Sequence, residues 1–502
     1  MHRFAALITA TFAGLLTTAA PRAQDTAAPA GEAIPELRAA LDALLGDPVF
    51  DGGRVGVHVR DLRDGRVLSR HQDRSGFMPA SNMKLIAVAT ALDALGPEFR
   101  FVTTLRVRGR IEAGVLRGDL LLVGDGDPTF GGRHERATTD VLDRLVAKFV
   151  AATGVTTITG EVLAVAGAQR DSGLGRGWAW DYASEGYAAP FGGLCFAENV
   201  LRVTFAPSKR DGLPTATIRP EPPAFDVDVC ATNTRPGEAD RMNAILSADG
   251  AKLTVGGAIA KDAEPRVATL AIRDPIAVAA RSLRARLAAA GVAVQGKAGA
   301  GTGTAQVVVA SEPSPPLHRI VTTLNKVSQN LYAEQVLRHA ARAAGASGTS
   351  APSDTQVDLA AGVRTAEAML TRLGVDVRGL RIADGSGLSR LNLARPVQIA
   401  DLLAAMHTHR HGEVFLASLP VAGIDGTLRG RFTTGPAAAR VRAKSGYIAR
   451  VVALSGYVPR PDPSAPPIVF AILTNDFVGD DVAARAAVDR FVQALAQHAG
   501  WN

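Results

Sequence analysis

Three short groups of residues could carry out covalent chemistry together. They are Ser81-Asn82-Met83-Lys84, Ser328-Gln329-Asn330 and Lys444-Ser445-Gly446. A serine hydroxyl is a weak nucleophile until a base takes its proton. Residues three apart on a helix share a face, so the Lys84 amine can reach the Ser81 hydroxyl. A buried lysine beside other cationic groups can be neutral and act as that base. A helix start at Ser81 also favours developing negative charge. Ser328 can relay a proton to a leaving amine, and Asn330 can bind Lys84 and a substrate amide. Taken alone, Ser328 reads better as a helix N-cap with an exposed asparagine beyond it. Lys444 and Ser445 would hold a substrate carboxylate, and Gly446 would let a substrate backbone approach the strand. The backbone N–H groups of Ser81 and Tyr447 are the natural oxyanion donors. The plain alternative for this third group is a hairpin strand.

Lysine usage supports the chemical reading. The chain has 55 basic residues, of which eight are lysine, at 84, 148, 209, 252, 261, 297, 326 and 444. A composition that prefers arginine still places lysine in or beside all three groups. Arginine cannot give up its proton and could not serve as the base.

The elements that must position these groups follow from local pattern. Val55–Val59 alternates as a strand and is followed by a turn at Arg63-Asp64-Gly65. Pro79-Ala80-Ser81 opens an apolar helix through Leu85, Ala89, Leu92 and Leu95, which Gly96-Pro97 stops. From about Phe101 to Val309 the texture is of short strands and turns, with a strand at Thr103–Val107 and a turn at Arg117-Gly118-Asp119. Helical pattern returns over Leu317–Arg342, with Asn330 at the start of a helix. Gly345–Asp354 reads as a loop, the segments on either side of Lys444 as extended, and Val482–Ala499 as an amphipathic helix. Ser81 and Ser328 lie 247 residues apart in the sequence. That interval is far too long for a loop and must hold inserted domains.

At 502 residues the chain is too long for one core, and about three domains are expected. Hydrophobic content of 47% and charged content of 21% describe a globular protein. The net charge of +7 suits an acidic polymer such as a carboxylate-bearing wall. No dense basic run interleaved with aromatics points to nucleic acid. Met1-His2-Arg3 with the apolar run Phe4–Ala20 reads as a secretory signal, too short for a spanning helix. No later segment is long and apolar enough to span a bilayer, so an exported, soluble, periplasmic protein is expected. Cys195 and Cys230 can form a bridge in an oxidising compartment or remain two thiols.

The three groups are the working parts of penicillin-recognising serine enzymes. Together with Gly124-Asp-Gly-Asp-Pro128, Gly177-Trp-Ala-Trp-Asp181, Tyr187-Ala-Ala-Pro190, Asn330-Leu-Tyr-Ala-Glu334, Asp384-Gly-Ser-Gly-Leu-Ser-Arg390 and Asp425-Gly-Thr-Leu428, they resemble one family closely. It is that of the low-molecular-mass penicillin-binding D-alanyl-D-alanine carboxypeptidase/endopeptidases of the penicillin-binding protein 4 type. The resemblance covers nearly the whole mature chain. It implies an α+β fold, with a penicillin-binding serine DD-peptidase domain (an antiparallel sheet flanked by helices) and two nested, mostly β inserted domains. On this pattern residues 1–28 are signal peptide and spacer, and 30–98 and 306–502 form the catalytic domain. Residues 99–160 and 255–305 form one inserted domain, and 161–254 the other. The resemblance implies Ser81 as nucleophile, Lys84 as base, and Ser328, Asn330 and Lys444 as partners. It places Ser445, Gly446, Tyr447 and Arg390 along the substrate groove. It implies acylation by peptidoglycan stem peptides and by β-lactams, with no cofactor or metal. Ser445 replaces the usual threonine and keeps its hydroxyl. Val165, Gln169 and Ala449 stand where some relatives carry groups that recognise the stem side chain, which bears on endopeptidase action.

Other features carry blander readings. Gly124–Thr129 is a tight turn and not a phosphate loop, since no Lys-Ser/Thr follows. His407-Thr-His-Arg-His411 reads as a solvated helix end and not a metal site. Trp178 and Trp180 read as core rather than as a carbohydrate platform. Two competing functions make different demands on the sequence. A serine β-lactamase would share the acylation machinery, and a non-catalytic wall-binding scaffold would show decay of the motifs.

Overall fold

The computed structural model describes residues 34–501 apart from 209–212, 222–225, 239, 248–249, 251, 304–306 and 345–356. The signal-like segment 1–28 and the expected loop at 345–354 lie outside the described residues. Among the described residues, no helix is long and apolar enough to cross a membrane.

The residues around the three motifs build a five-stranded antiparallel sheet. Its order is Arg442–Ile448, Val451–Val458, Ile468–Asn475, Arg54–Asp61, Val67–His71. Ile468–Asn475 is buried along its whole length, as a strand covered on both faces must be. Its side chains alternate between two cores. Val469 and Ala471 pack with the helices Met83–Leu95, Leu317–Val327, Asn330–His339 and Pro396–His407. Phe470 and Ile472 pack with Pro35–Leu45 and Asp481–His498. The Met83–Leu95 helix is buried from Met83 to Leu92. A helix apolar on every side belongs inside, and each of its large aliphatic side chains contributes about 1.5–3 kcal/mol on burial. Gly96, at φ +78°, ends it.

The insertion leaves and re-enters at one place: Val102 pairs with Pro313, and the Phe101 N–H donates to the Ser314 hydroxyl at 3.0 Å. Between them a seven-stranded mixed sheet packs under the helices Asp140–Thr153 and Pro275–Ala289. Two three-stranded sheets follow from Val200 to Ala271, around Val203, Phe205, Leu253 and Val255.

Strand pairing crosses the expected divisions of this insertion. Val162–Val165, expected in the innermost domain, pairs with Val115–Val123 of the seven-stranded sheet. The expected boundary at 254/255 cuts the strand Lys252–Ala260, and Arg266–Ala271 still pairs with Val200–Ala206. The turn expected at Arg117-Gly118-Asp119 is instead strand. Gly118 faces Gly109, and a Cβ on Gly118 would lie 2.0 Å from the Arg108 carbonyl oxygen. The glycine there serves a close approach of two strands, and the hairpin turns at Ala113-Gly114, both with positive φ.

Candidate active site

Ser81 lies in a single 3-10 turn, Ala80–Asn82, directly ahead of the Met83–Leu95 helix. Ala80 has φ +45°, a costly conformation for a residue with a Cβ. The surroundings hold it there. Asn475 accepts from the Met78 N–H at 2.7 Å and donates to the Met78 carbonyl at 3.0 Å. Gly387, at φ +83°, lies so close that a Cβ would come within 1.8 Å of the Ala80 carbonyl oxygen. Gly446 does the same from the other side: a Cβ there would meet the Pro79 carbonyl at 2.9 Å and the Ser81 nitrogen at 3.1 Å. Gly446 was expected to make room for substrate; in the structure it makes room for the turn that carries Ser81.

Lys84 is fully buried. Its amine lies 2.8 Å from the Ser81 hydroxyl, 2.6 Å from Asn330 Oδ1 and 2.5 Å from the Ser386 carbonyl. Burial lowers its pKa from 10.5 to about 7, against the raising influence of Asp384 and Glu334. A neutral amine has two N–H groups and one lone pair. The Asn330 amide is oriented by its other end, since Nδ2 donates to the Tyr187 carbonyl at 2.7 Å, so Oδ1 faces Lys84 as an acceptor. The Ser386 carbonyl is also an acceptor. Those two take both N–H groups, and the lone pair is left for the Ser81 O–H.

Ser328 does not cap the start of a helix. It is the left-handed residue, φ +59°, that ends the Leu317–Val327 helix, and Gln329 caps the Asn330–His339 helix that follows. This break in the helical run turns the Ser328 hydroxyl to the Lys444 amine, which donates to it at 2.9 Å. Lys444 is buried too, and burial together with the nearby Lys84 lowers its pKa well below the ordinary value. Ser445 donates to the Thr427 hydroxyl at 2.7 Å, so Asp425-Gly-Thr-Leu428 enters the site. The strand Arg442–Ile448 is an edge strand; Pro420 and Val421 pair with its first residues, and beyond Ala443 its outer side is left for an extended peptide.

The other expected groove residues sit further out. Arg390 donates to the Ala449 carbonyl at 2.7 Å and ties its loop to the neighbouring hairpin. The Tyr447 ring is partly exposed, its hydroxyl bonds Asp481, and the Arg485 guanidinium lies 4.5 Å from the ring centre. Val165 is buried against Leu121 and Leu163, and Gln169 contacts His339 at 3.3 Å. Lys326, counted with the motif lysines, bonds the Leu419 carbonyl and Asp425 at 2.7 and 2.6 Å; it anchors a loop.

Sequence reasoning assigned no role to Asp384, Ser386 or Glu334. Asp384 is buried and accepts from Trp178 Nε1, the Ser386 hydroxyl, the N–H groups of Gly387 and Ser389, and Asn392. Glu334 accepts from the N–H groups of Gly385 and Ser386 and pairs with Arg338 at 2.6 Å. Together they fix the loop that presents the Ser386 carbonyl to Lys84. Trp178 is therefore structural, as expected, but Trp180 is 88% exposed and is not core. Cys195 and Cys230 are unpaired thiols, and burial pushes Cys195 up to about 12. Among the described residues no group of histidine, cysteine or acidic side chains could hold a metal. His409 instead pairs with Asp93 at 3.1 Å.

Known proteins resemble this chain along most of its length. The family described as "D-Ala-D-Ala carboxypeptidase 3 (S13) family" matches residues 37–498. A D-alanyl-D-alanine carboxypeptidase of Actinomadura sp. (strain R39) is 31% identical over 99% of this chain and 91% of its own length. The D-alanyl-D-alanine carboxypeptidase DacB of Haemophilus influenzae is 24% identical over 81% of this chain and 83% of its own. The crystal structure of penicillin binding protein 4 (dacB) from Haemophilus influenzae superposes with a TM-score of 0.74 at 22% identity, covering 92% of this chain and 98% of that one. With the match running through all three motifs and both chain ends of the catalytic sheet, the chain belongs to the S13 family of D-Ala-D-Ala carboxypeptidases.

Proposed function

We propose that this protein is a serine DD-peptidase that hydrolyses the D-alanyl-D-alanine bond of peptidoglycan stem peptides through an acyl-enzyme on Ser81. The observation that carries the reading is the buried Lys84 amine, lowered to about 7, with both N–H groups engaged and its lone pair facing Ser81. Near neutral pH that amine takes the Ser81 proton as the oxygen attacks the penultimate D-Ala carbonyl. The N–H groups of Ser81 and Tyr447 receive the negative charge on the carbonyl oxygen. Lys444 and Ser445, with Thr427, hold the terminal carboxylate. The negative charge of that carboxylate favours uptake of a proton from solvent by Lys444, whose charge burial disfavours in the empty site. The proton from Ser81 passes by way of Ser328 to the leaving D-Ala amine as the C–N bond breaks. Water then hydrolyses the ester, releasing the shortened peptide and regenerating Ser81. A β-lactam presents an amide carbonyl and a carboxylate to the same groups and would acylate Ser81 likewise.

The basic charge and the signal-like start support an exported, periplasmic location. Val165, Gln169 and Ala449 favour carboxypeptidase over endopeptidase action. The test is digestion of purified muropeptides by the mature protein, read by mass, beside labelling with a fluorescent penicillin. Terminal D-Ala should be released, and Ser81→Ala should abolish both signals. Conversion of cross-linked dimers to monomers would establish endopeptidase action as well. Labelling that persists in Ser81→Ala would remove the nucleophile assignment.

A further inference from the structure

A second concavity lies where the loop before the Asp140–Thr153 helix meets the strands Val200–Ala206 and Thr215–Arg219, with a volume of about 630 Å³. That is the size of a ligand pocket. Arg133, Arg136, Arg202 and Arg219 line it, against two carboxylates, Glu135 and Glu198. Both carboxylates are already engaged. Glu198 takes Arg133 through two hydrogen bonds of 2.6 and 2.7 Å. Glu135 takes Arg144 through two of 2.7 and 2.9 Å. Among the described residues no carboxylate pairs with Arg136, Arg202 or Arg219.

Exposed arginines are ordinary; their placement here is not. Arg202 and Arg219 are direct cross-strand partners, and the next pair on the same face is Thr204 with Thr217. Like charges directly opposite one another destabilise a strand pair. Among the described residues no carboxylate pairs with either arginine to offset this repulsion, whereas an oxyanion lying over the pair would, with the threonine hydroxyls as further donors. The planar guanidinium fork matches carboxylate and phosphate oxygens equally well.

We propose that this cavity is a binding site for a molecule carrying more than one oxyanion, carboxylate or phosphate, held by Arg136, Arg202 and Arg219. The site backs onto the catalytic machinery without sharing its residues. Glu198, in its wall, also receives the Tyr332 hydroxyl at 2.9 Å and Gln329 Nε2 at 3.4 Å, and Gln329 stands between Ser328 and Asn330.

The test is calorimetric titration of the full protein with inorganic pyrophosphate and, separately, with citrate, at low ionic strength. At least one should bind, and Arg202→Gln and Arg219→Gln should each weaken it about tenfold. Tighter binding of pyrophosphate assigns a phosphate-bearing ligand, and tighter binding of citrate a carboxylate-bearing one. Without anion, the double variant should unfold at no lower temperature than the wild type, because the repulsion is gone; with anion, its midpoint should no longer rise. Arg136→Gln, outside the strands, repeats the affinity test should the strand variants fold poorly. Failure of both anions to bind the wild type, or equal binding by the wild type and the variants, overturns the proposal.

Discussion

Replacing Lys84 by methionine removes the proposed base at similar length and volume. In the folded protein the amine falls from 10.5 to about 7, while in the unfolded chain it returns to 10.5. Between these values the unfolded chain binds a proton that the folded protein does not. Stability therefore rises with pH across that window and levels off above it. Below the window both states are protonated, and the folded state carries the whole cost of a buried charge. That cost is about 1.4 kcal/mol for each pH unit of the gap, or about 5 kcal/mol in all. From about pH 7 to about pH 9 the wild type should gain about 2 kcal/mol, since near pH 7 its folded amine is still half protonated. Lys84→Met cannot make this gain. Methionine also leaves Asn330 Oδ1 and the Ser386 carbonyl without a donor, at about 1–3 kcal/mol each, so the absolute stabilities are a poor readout. The change with pH is the sound one. Lys444 is present in both proteins, and the difference isolates Lys84 apart from the repulsion the two amines share. Urea unfolding at the two pH values should show the wild-type advantage growing by about 2 kcal/mol, with no penicillin labelling of the variant at either. A difference that stays constant would mean that Lys84 keeps its proton in the fold, and it could not then be the base.

Other consequences can be measured alongside. Gly387→Ala forces a Cβ against the Ala80 carbonyl and should slow penicillin acylation by about a hundredfold or more, by misplacing Ser81; a normal rate would show that the Ser81 turn tolerates displacement. Asp384 raises the Lys84 pKa, so Asp384→Asn should move the acidic limb of the acylation–pH profile to lower pH. An unmoved limb in a folded variant would assign that limb to another group. Lys326→Met should retain labelling within about tenfold while weakening the fold by about 1–3 kcal/mol, as expected of an anchor and not a base. An aromatic disulfide reagent should titrate Cys230 in the native protein and Cys195 after unfolding, and a reductant should leave the thermal midpoint unchanged.

The parts of the site legible in sequence were those that depend on local spacing. The i, i+3 relation of Ser81 and Lys84 and the apolar run behind them gave the helix and its reactive end. The helical run over Leu317–Arg342 concealed the left-handed Ser328, because Ser-Gln-Asn carries no glycine or proline to announce a break. Gly118 misled in the opposite sense: a glycine marks a turn or a close approach, and only the partner strand decides which. Asp384, Glu334 and Thr427 lay within recognisable segments, yet their work rests on burial and on neighbours far away in sequence. Trp180 sits two residues from Trp178, the partly buried partner of Asp384, and faces solvent, which apolar type alone does not reveal.

The Arg54–Asp61 strand is completed by Ile468–Asn475, and Asn475 grips Met78 three residues ahead of the nucleophile. A ribosome adding on the order of 5–20 residues per second reaches that clamp tens of seconds after it has made Ser81. Until then the segment ahead of the serine lacks the Asn475 hydrogen bonds that hold Met78. A product broken off before Asn475 lacks this clamp on the segment that carries Ser81. The order of strands thus ties the nucleophile's turn to one of the last strands to be made.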